Sequence, residues 1–338
     1  MIKRLITALL LTSPLFVSTQ QIGELTLMFN DSARHRPLKT EIWYPTTDNR
    51  KPDNIPGYPF IHIPTIRQAT LPAGKHPLIL ISHGTGGGRM TLEWLADALV
   101  QKGFIVAAVD HWGNTYDNKI AIDFVTPWER PQDISFVLTK LLDDQKIGPV
   151  IDRNKIGAAG FSIGGYTVIA LAGGKISLDA LDKFGDTKEG VKEFTLPEFP
   201  GLDKAYNHAE AEASFERSPD LKDKRIKAFF VMCPAVGQGF TQKEQLSRVT
   251  DPLYIVGAQS DSIAPVETNA LHYHQLIPRS KLYVVPGKAG HYTFLNEGTE
   301  AAKQNAGPFL NDDPSVNRHA IHEKVARIAV EFFQSALK

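Results

Sequence analysis

Residues 160–165 read Gly160-Phe161-Ser162-Ile163-Gly164-Gly165, between an apolar run at 155–159 and a helical-looking run at 166–172. A Gly-x-Ser-x-Gly pattern between a strand and a helix predicts a tight turn that pushes the serine hydroxyl outward. The glycines two residues before and two after the serine fit a turn that leaves no space for side chains. The pattern also arises by chance, because serine and glycine are common residues. Ser162 is therefore a candidate nucleophile whose partners must be found elsewhere in the chain.

The bulk composition is that of an ordinary globular protein. The chain has 338 residues, 42% of them hydrophobic and 22% charged, which is enough to bury a sizeable core. Lys and Arg (37) balance Asp and Glu (37), so no global field attracts nucleic acid or anionic lipid. Cys233 is the only cysteine, which excludes an intramolecular disulfide. It lies in an apolar run and is expected to be a small buried side chain.

The first residues have a different character. Lys3 and Arg4 precede an apolar stretch that persists to Val17 and is too short to span a bilayer comfortably. Small residues follow at 18–19, so the pattern predicts a signal peptide at residues 1–19. An uncleaved N-terminal anchor is the alternative. The prediction implies an exported protein, periplasmic or secreted, with no stable membrane insertion.

The remaining pattern predicts one α/β domain over residues 20–338. Ile22–Phe29 and Leu38–Trp43 are expected to form two early strands of an antiparallel hairpin. Short apolar runs then alternate with amphipathic helices, and a helix from about 316 to 337 closes the chain. Continuous apolar strands separated by such helices indicate a parallel sheet covered on both faces. The polar segment at about 176–224 is too long for an ordinary connection and predicts an insertion, lid-like, near the carboxyl edge of the sheet.

Two residues downstream of Ser162 fit the partners that a nucleophilic serine requires. Acyl transfer needs a general base and a group that orients it. Asp261 and His291 each follow a predicted strand, in the order serine, acid, histidine that this kind of sheet requires. Taken alone, Asp261 would be a turn or cap residue and His291 one of eleven histidines. Asp251 is the nearest rival for the acid, but it precedes its strand and would lie at the opposite edge of the sheet.

A glycine-rich segment, His83-Gly84-Thr85-Gly86-Gly87-Gly88, follows a predicted strand and opens a helix. One interpretation is a dinucleotide-binding turn with Asp110 as the ribose ligand, but Arg89 occupies the third glycine position of that motif. The other interpretation is a loop whose backbone N–H groups face the carbonyl oxygen of an ester. Its donors would be the amides of Thr85 and Ile163, and we favour this second interpretation.

Two pairs of closely spaced histidines raise the question of a metal site. His272 and His274 would diverge on a helix, and His319 lies one helical turn from His322. Neither pair has the additional ligands that a closed site requires. Both pairs are therefore expected on the surface, and no metal or organic cofactor is expected.

The combined features resemble the serine esterases of the α/β-hydrolase superfamily. More narrowly, the chain is similar to the dienelactone-hydrolase-like proteins related to platelet-activating-factor acetylhydrolase. The resemblance is carried by segments spread over most of the chain: 34–45, 82–88, 103–111, 128–133 and 160–165, with Asp261 and Gly290-His291.

The resemblance implies an α/β-hydrolase fold with Ser162, Asp261 and His291 as the triad and Thr85 with Ile163 as the oxyanion hole. It implies hydrolysis of a small-molecule carboxylic ester with a short acyl chain, through an acyl-enzyme. Dienelactone hydrolases themselves use a cysteine nucleophile, where this chain has serine. The alternatives are a phospholipase A2-like hydrolase of short or oxidised acyl chains and a non-catalytic binding protein on a hydrolase scaffold.

Overall fold

The computed structural model describes residues 20–53 and 59–338. The predicted signal peptide at 1–19 lies outside the described residues and stays a prediction. The strands in the described part are β1 (Gln21–Asp31), β2 (Arg36–Thr46), β3 (Ile66–Arg67), β4 (His76–Ser82), β5 (Ile105–Val109), β6 (Ile151–Phe161), β7 (Ala228–Met232), β8 (Leu253–Ala258) and β9 (Lys281–Val285). The α-helices are α1 (Glu93–Val100), α2 (Ala121–Val125), α3 (Glu129–Asp143), α4 (Ile163–Ala172), α5 (Leu178–Gly185), α6 (Lys188–Glu193), α7 (His208–Glu216), α8 (Ala270–Leu276), α9 (Glu300–Lys303) and α10 (Arg318–Ala336).

The strands form a single sheet in the order β3-β1-β2-β5-β4-β6-β7-β8-β9. β1 and β2 make the predicted antiparallel hairpin, and β2 also pairs antiparallel with β5. From β5 to β9 every neighbouring pair is parallel. Parallel strands bring their carboxyl ends to one edge, so the loops after β4, β6, β8 and β9 meet there. The predicted α/β fold with a mostly parallel sheet is confirmed.

Helices cover both faces of this sheet. Along β4, Leu78 and Leu80 belong to the apolar cluster that includes α3, α4 and α8, whereas Ile79 and Ile81 belong to the cluster of α1 and α10. A strand buried on both faces needs an apolar residue at every position, which explains the continuous apolar runs in the sequence. None of the helices in the described part of the chain has both the length and the apolar character needed to cross a membrane.

The segment predicted as an insertion, about 176–224, contains the three short helices α5, α6 and α7. Side chains of Ser177, Thr187 and Asn207 accept hydrogen bonds from backbone amides of the first turn in each helix. Glu193, the last residue of α6, accepts a hydrogen bond from the Thr268 hydroxyl at 3.1 Å. Since Thr268 follows β8, the segment lies against the carboxyl edge of the sheet.

His322 on α10 is buried, so the expectation that it lies on the surface is wrong. Its ring stacks on Trp94 with centroids 4.3 Å apart, and its Nε2 donates to the carbonyl oxygen of Thr293 at 2.8 Å. Helical periodicity explains the burial, because His322 shares the face of α10 that carries the buried Val325. His319, one turn earlier, is exposed as expected.

Acidification is expected to destabilise the folded protein through His322. Burial lowers the pKa of His322 to about 4, from the ordinary value of 6.5 that the unfolded chain retains. The unfolded state therefore binds the proton more readily, and the stabilising contribution present above pH 6.5 is lost as the pH falls towards about 4. The contribution amounts to about 3 kcal/mol.

The measurement is denaturant unfolding at a series of pH values between neutrality and the folded-state pKa. The variants are His322→Gln and, as a matched control, the exposed His208→Gln. The first should flatten the pH dependence of the free energy of unfolding, while the control should follow the wild type. Three parallel profiles would contradict the prediction.

Candidate active site

The turn between β6 and α4 holds Ser162 in a strained backbone conformation, with φ 57° and ψ −123°. A Cβ atom on Gly160 would lie 2.0 Å from the carbonyl oxygen of Gly164. A Cβ atom on Gly164 would in turn lie 2.1 Å from the carbonyl oxygen of Ser82, the last residue of β4. Both positions therefore require glycine, because backbone atoms occupy the space that a side chain would need.

Gly164→Ala is expected to destabilise the protein by about 3 kcal/mol or more, because the added methyl group meets backbone and not a movable side chain. A suitable control is Gly74→Ala, since Gly74 has φ +80° but no atom within 4 Å of an added Cβ. That control carries only the left-handed strain of about 1 kcal/mol. Chemical denaturation of both variants measures the difference in their free energies of unfolding. Equal losses would show that the turn between β6 and α4 is not closely packed.

Ser162, His291 and Asp261 form one hydrogen-bonded chain. The Ser162 Oγ donates to His291 Nε2 at 2.9 Å, and His291 Nδ1 donates to Asp261 Oδ2 at 2.7 Å. An ionised carboxylate can only accept, so Nδ1 carries the proton and Nε2 remains available to the serine. All three residues are buried. The structure thus brings together the three side chains that the sequence singled out.

Asp261 is held in place by the loop that follows β8. Its Oδ1 accepts hydrogen bonds from the amides of Ile263 at 2.9 Å and Ala264 at 2.8 Å, which leaves Oδ2 directed at the imidazole. The rival Asp251 precedes β8 and lies 3.6 Å from the Lys222 ammonium. It therefore sits at the amino end of the strand, away from the serine.

The backbone amides of Thr85 and Ile163, which lie beside Ser162, have no hydrogen-bond acceptor among the described residues. Ile163 begins α4, and the amides of a first helical turn have no partner within the helix. Gly84, next to Thr85, packs against the serine, since an added Cβ would lie 3.3 Å from the Ser162 Cβ. Both amides are thus available for a negatively charged oxygen bound near the hydroxyl.

Asp110, considered above as a ribose ligand, is engaged by Arg89. The Arg89 backbone amide donates to its Oδ1 at 2.6 Å, and the guanidinium donates to its Oδ2 at 2.7 Å. Both carboxylate oxygens are therefore committed within the protein. This pairing disfavours the dinucleotide interpretation of the glycine-rich segment.

Comparison with known proteins supports the fold and the predicted family resemblance. Residues 57–123 match the family model for platelet-activating factor acetylhydrolase, isoform II. The structure is similar to that of a ferulic acid esterase from Streptomyces cinnamoneus, with a TM-score of 0.62 and 18% sequence identity, over 95% of this chain and 91% of that chain. The chain has the α/β-hydrolase fold. A search of curated proteins gives no match.

The two comparisons cover different parts of this chain. The family match spans β4, the glycine-rich segment and β5. It stops before the turn that holds Ser162 and before Asp261 and His291. The fold match extends over nearly the whole chain. Together they support the predicted resemblance to serine esterases of this superfamily.

Cys233 lies beside Asp261 and His291, a contact that sequence reasoning missed. Burial, and then the charge of Asp261, hold the pKa of the Cys233 thiol well above its usual range. The thiol therefore stays protonated, with its Sγ within 4.8 Å of the Asp261 carboxylate. The order of β7 and β8 in the sheet creates this contact, since Cys233 directly follows β7 and Asp261 follows β8.

Among the described residues, two groups have side-chain ligand atoms within 4.8 Å of one another, as a metal site requires. One consists of Cys233, Asp261 and His291, where the carboxylate and imidazole already bind each other. The second is exposed on the insertion and consists of Asp182, His208 and Glu212. The arrangement of the first group suits an imidazole that accepts a proton at Nε2 while the Asp261 carboxylate stabilises its charge.

The insertion reaches the site through Glu198, a residue that sequence reasoning did not select. Its Oε1 accepts a hydrogen bond from the hydroxyl of Tyr292 at 2.8 Å, and Tyr292 directly follows His291. A Cβ on Gly86 would lie 2.9 Å from the Glu198 Cβ, so the insertion also contacts the glycine-rich segment. Burial and the Glu198 carboxylate raise the pKa of Tyr292, which stays a donor. Glu198 thus bridges the two loops that flank Ser162.

Proposed function

We propose that the protein hydrolyses carboxylic esters through an acyl-enzyme on Ser162. The observation that carries the proposal is the hydrogen-bonded chain from Ser162 through His291 to Asp261, with the serine on a strained turn. A hydroxyl that donates to an oriented imidazole is the arrangement by which serine becomes a nucleophile at neutral pH. The family match and the esterase fold support the same reaction class.

In the proposed reaction, His291 Nε2 takes the Ser162 proton as Oγ attacks the ester carbonyl, and Asp261 stabilises the imidazolium. The tetrahedral oxyanion accepts hydrogen bonds from the amides of Thr85 and Ile163, each contributing about 2.7–4 kcal/mol by comparison with side-chain donors in other enzymes. His291 then gives its proton to the leaving alcohol. A water molecule deprotonated by His291 then attacks the acyl-enzyme. The bond between the acyl carbon and Ser162 Oγ breaks, the acid leaves, and His291 returns the proton to Oγ.

We propose small or short-chain acyl groups as substrates. Ser162 is only 6% exposed, and the Glu198 bridge closes one side of the site, which favours a short acyl chain over a long one. The family match at 57–123 favours a second candidate, a phospholipase A2-like hydrolase of short or oxidised acyl chains. The two candidates differ in the leaving group, an ordinary alcohol or a lysophospholipid.

The test is a panel of p-nitrophenyl esters of graded acyl length, with a phosphatidylcholine that carries an sn-2 acetyl group. Turnover should be fastest for acetyl to butyryl esters and fall as the chain lengthens. Faster turnover of the acetylated phospholipid would select the second candidate. A fluorophosphonate probe should label the protein, and failure of both labelling and hydrolysis would favour a non-catalytic binding protein.

A further inference from the structure

The dipeptide that precedes Thr85 contains a side-chain hydrogen bond that the proposed reaction does not use. His83 Nδ1 donates to the carbonyl oxygen of Gly84 at 2.7 Å. The same oxygen accepts the Gly87 amide at 3.2 Å. The Gly84 carbonyl and the Thr85 N–H belong to one planar trans peptide group and point in opposite directions. Two donors that hold the carbonyl therefore fix the direction of the Thr85 N–H.

The His83 ring makes this bond in one tautomer only. Its Nε2 lies 3.2 Å from the backbone amide of His111, a group that can only donate. Nε2 is therefore the acceptor, and Nδ1 carries the proton that Gly84 receives. Burial, followed by the positive charge of Arg130, holds the pKa of His83 well below its usual range, so the ring is neutral.

Further buried polar side chains hold the segment that contains His83 and Gly84 in place through hydrogen bonds. The Arg130 guanidinium donates to the carbonyl oxygen of His83. The Ser82 hydroxyl donates to His111 Nε2 at 2.9 Å, and His111 Nδ1 donates to Asp133 at 2.9 Å. All five residues are at most 1% exposed. The segments 103–111 and 128–133, which carry part of the family resemblance, thus meet directly behind the glycine-rich segment.

We propose that His83 is a positioning residue of the oxyanion hole, whose Nδ1–H aims the Thr85 amide at the oxyanion through the Gly84 carbonyl. A donor on the carbonyl also polarises the peptide group, which makes its N–H a stronger donor. His83 touches neither the serine nor the ester, and acts through the peptide group alone. The inference rests on the proposed ester hydrolysis.

Two substitutions separate the Nδ1 donor from the rest of the ring. The side-chain amide nitrogen of asparagine takes the place of Nδ1, whereas that of glutamine takes the place of Nε2. His83→Gln is therefore expected to lower kcat for a p-nitrophenyl acetate substrate by about 10- to 100-fold, with little change in KM. His83→Asn should recover most of that loss. Thermal unfolding of both variants reports whether each remains folded.

The readout specific to positioning is the affinity for a trifluoromethyl ketone, whose adduct with the serine places an oxyanion in the hole. This affinity should fall in His83→Gln by the same factor as kcat. Equal losses in the two variants, or an unchanged ketone affinity, would overturn the inference while wild-type hydrolysis upholds the proposed function. A wild type that hydrolyses no ester would overturn both.

A measurement on the wild type covers the case in which neither variant folds. Nitrogen-15 NMR of the labelled imidazoles at neutral pH should show His83 protonated at Nδ1 and bare at Nε2. A proton on Nε2 would overturn the inference, because Nδ1 could then give nothing to Gly84.

Discussion

Ser162→Ala is expected to lower kcat for ester hydrolysis by on the order of 10⁶-fold, as loss of the nucleophile does in other serine hydrolases. The hydroxyl is the donor to His291 Nε2 at 2.9 Å, and alanine leaves the imidazole with no oxygen to activate. Initial rates on p-nitrophenyl acetate, with active-site titration of the wild type, measure the loss. Turnover within tenfold of the wild type would remove Ser162 as the nucleophile.

A matched variant, Ser162→Gly, separates the chemistry from the backbone strain. It should be as inactive as Ser162→Ala, because both lack the hydroxyl. It should also be more stable than Ser162→Ala by about 1 kcal/mol, because glycine adopts the positive φ of this turn with little strain. Denaturant unfolding of the two variants checks this, and a less stable glycine variant would show that the turn is not strained.

Asp261→Asn is expected to lower kcat by about 10⁴-fold while leaving the fold intact. An asparagine amide can donate to His291 Nδ1, which moves the imidazole proton to Nε2, the atom that must accept from Ser162. The loss should appear mainly in kcat, because the acid lies behind the histidine and away from the ester. Steady-state kinetics with a circular dichroism spectrum of each variant measure it.

Asp251→Asn is the control for this prediction. Asp251 precedes β8 and pairs with Lys222 at 3.6 Å, so its replacement should change kcat less than about threefold. A large loss of kcat in Asp251→Asn with none in Asp261→Asn would show that Asp251, and not Asp261, is the acid that orients His291.

The parts of the fold that could be predicted are those in which local sequence and burial carry the same information. β4, β5 and β7 are buried on both faces and read as unbroken apolar runs, and α3 shows its buried face at helical spacing. The three candidate site residues followed from the same reasoning. In a parallel sheet the loops after β6, β8 and β9 share one edge, so chain order and strand ends sufficed to select Ser162, Asp261 and His291.

The contacts that could not be predicted join segments that are distant in the chain and carry no periodic pattern. Glu198 meets Tyr292 across the fold, and the length of the insertion says nothing about which of its residues arrives there. Cys233 meets Asp261 only because β7 and β8 are neighbours in the sheet. The proposed role of His83 could not be predicted, because it depends on the contacts of its ring with the Gly84 carbonyl and the His111 amide.

The most direct test of an acyl-enzyme on Ser162 is mass spectrometry of the protein quenched during turnover of p-nitrophenyl acetate. The peptide that contains Ser162 should gain the mass of one acetyl group in step with the burst of p-nitrophenol. The same peptide from Ser162→Ala should gain nothing. Steady hydrolysis by the wild type with no acetylated Ser162 peptide at any quench time, or an adduct confined to another residue, would contradict an acyl-enzyme on this serine.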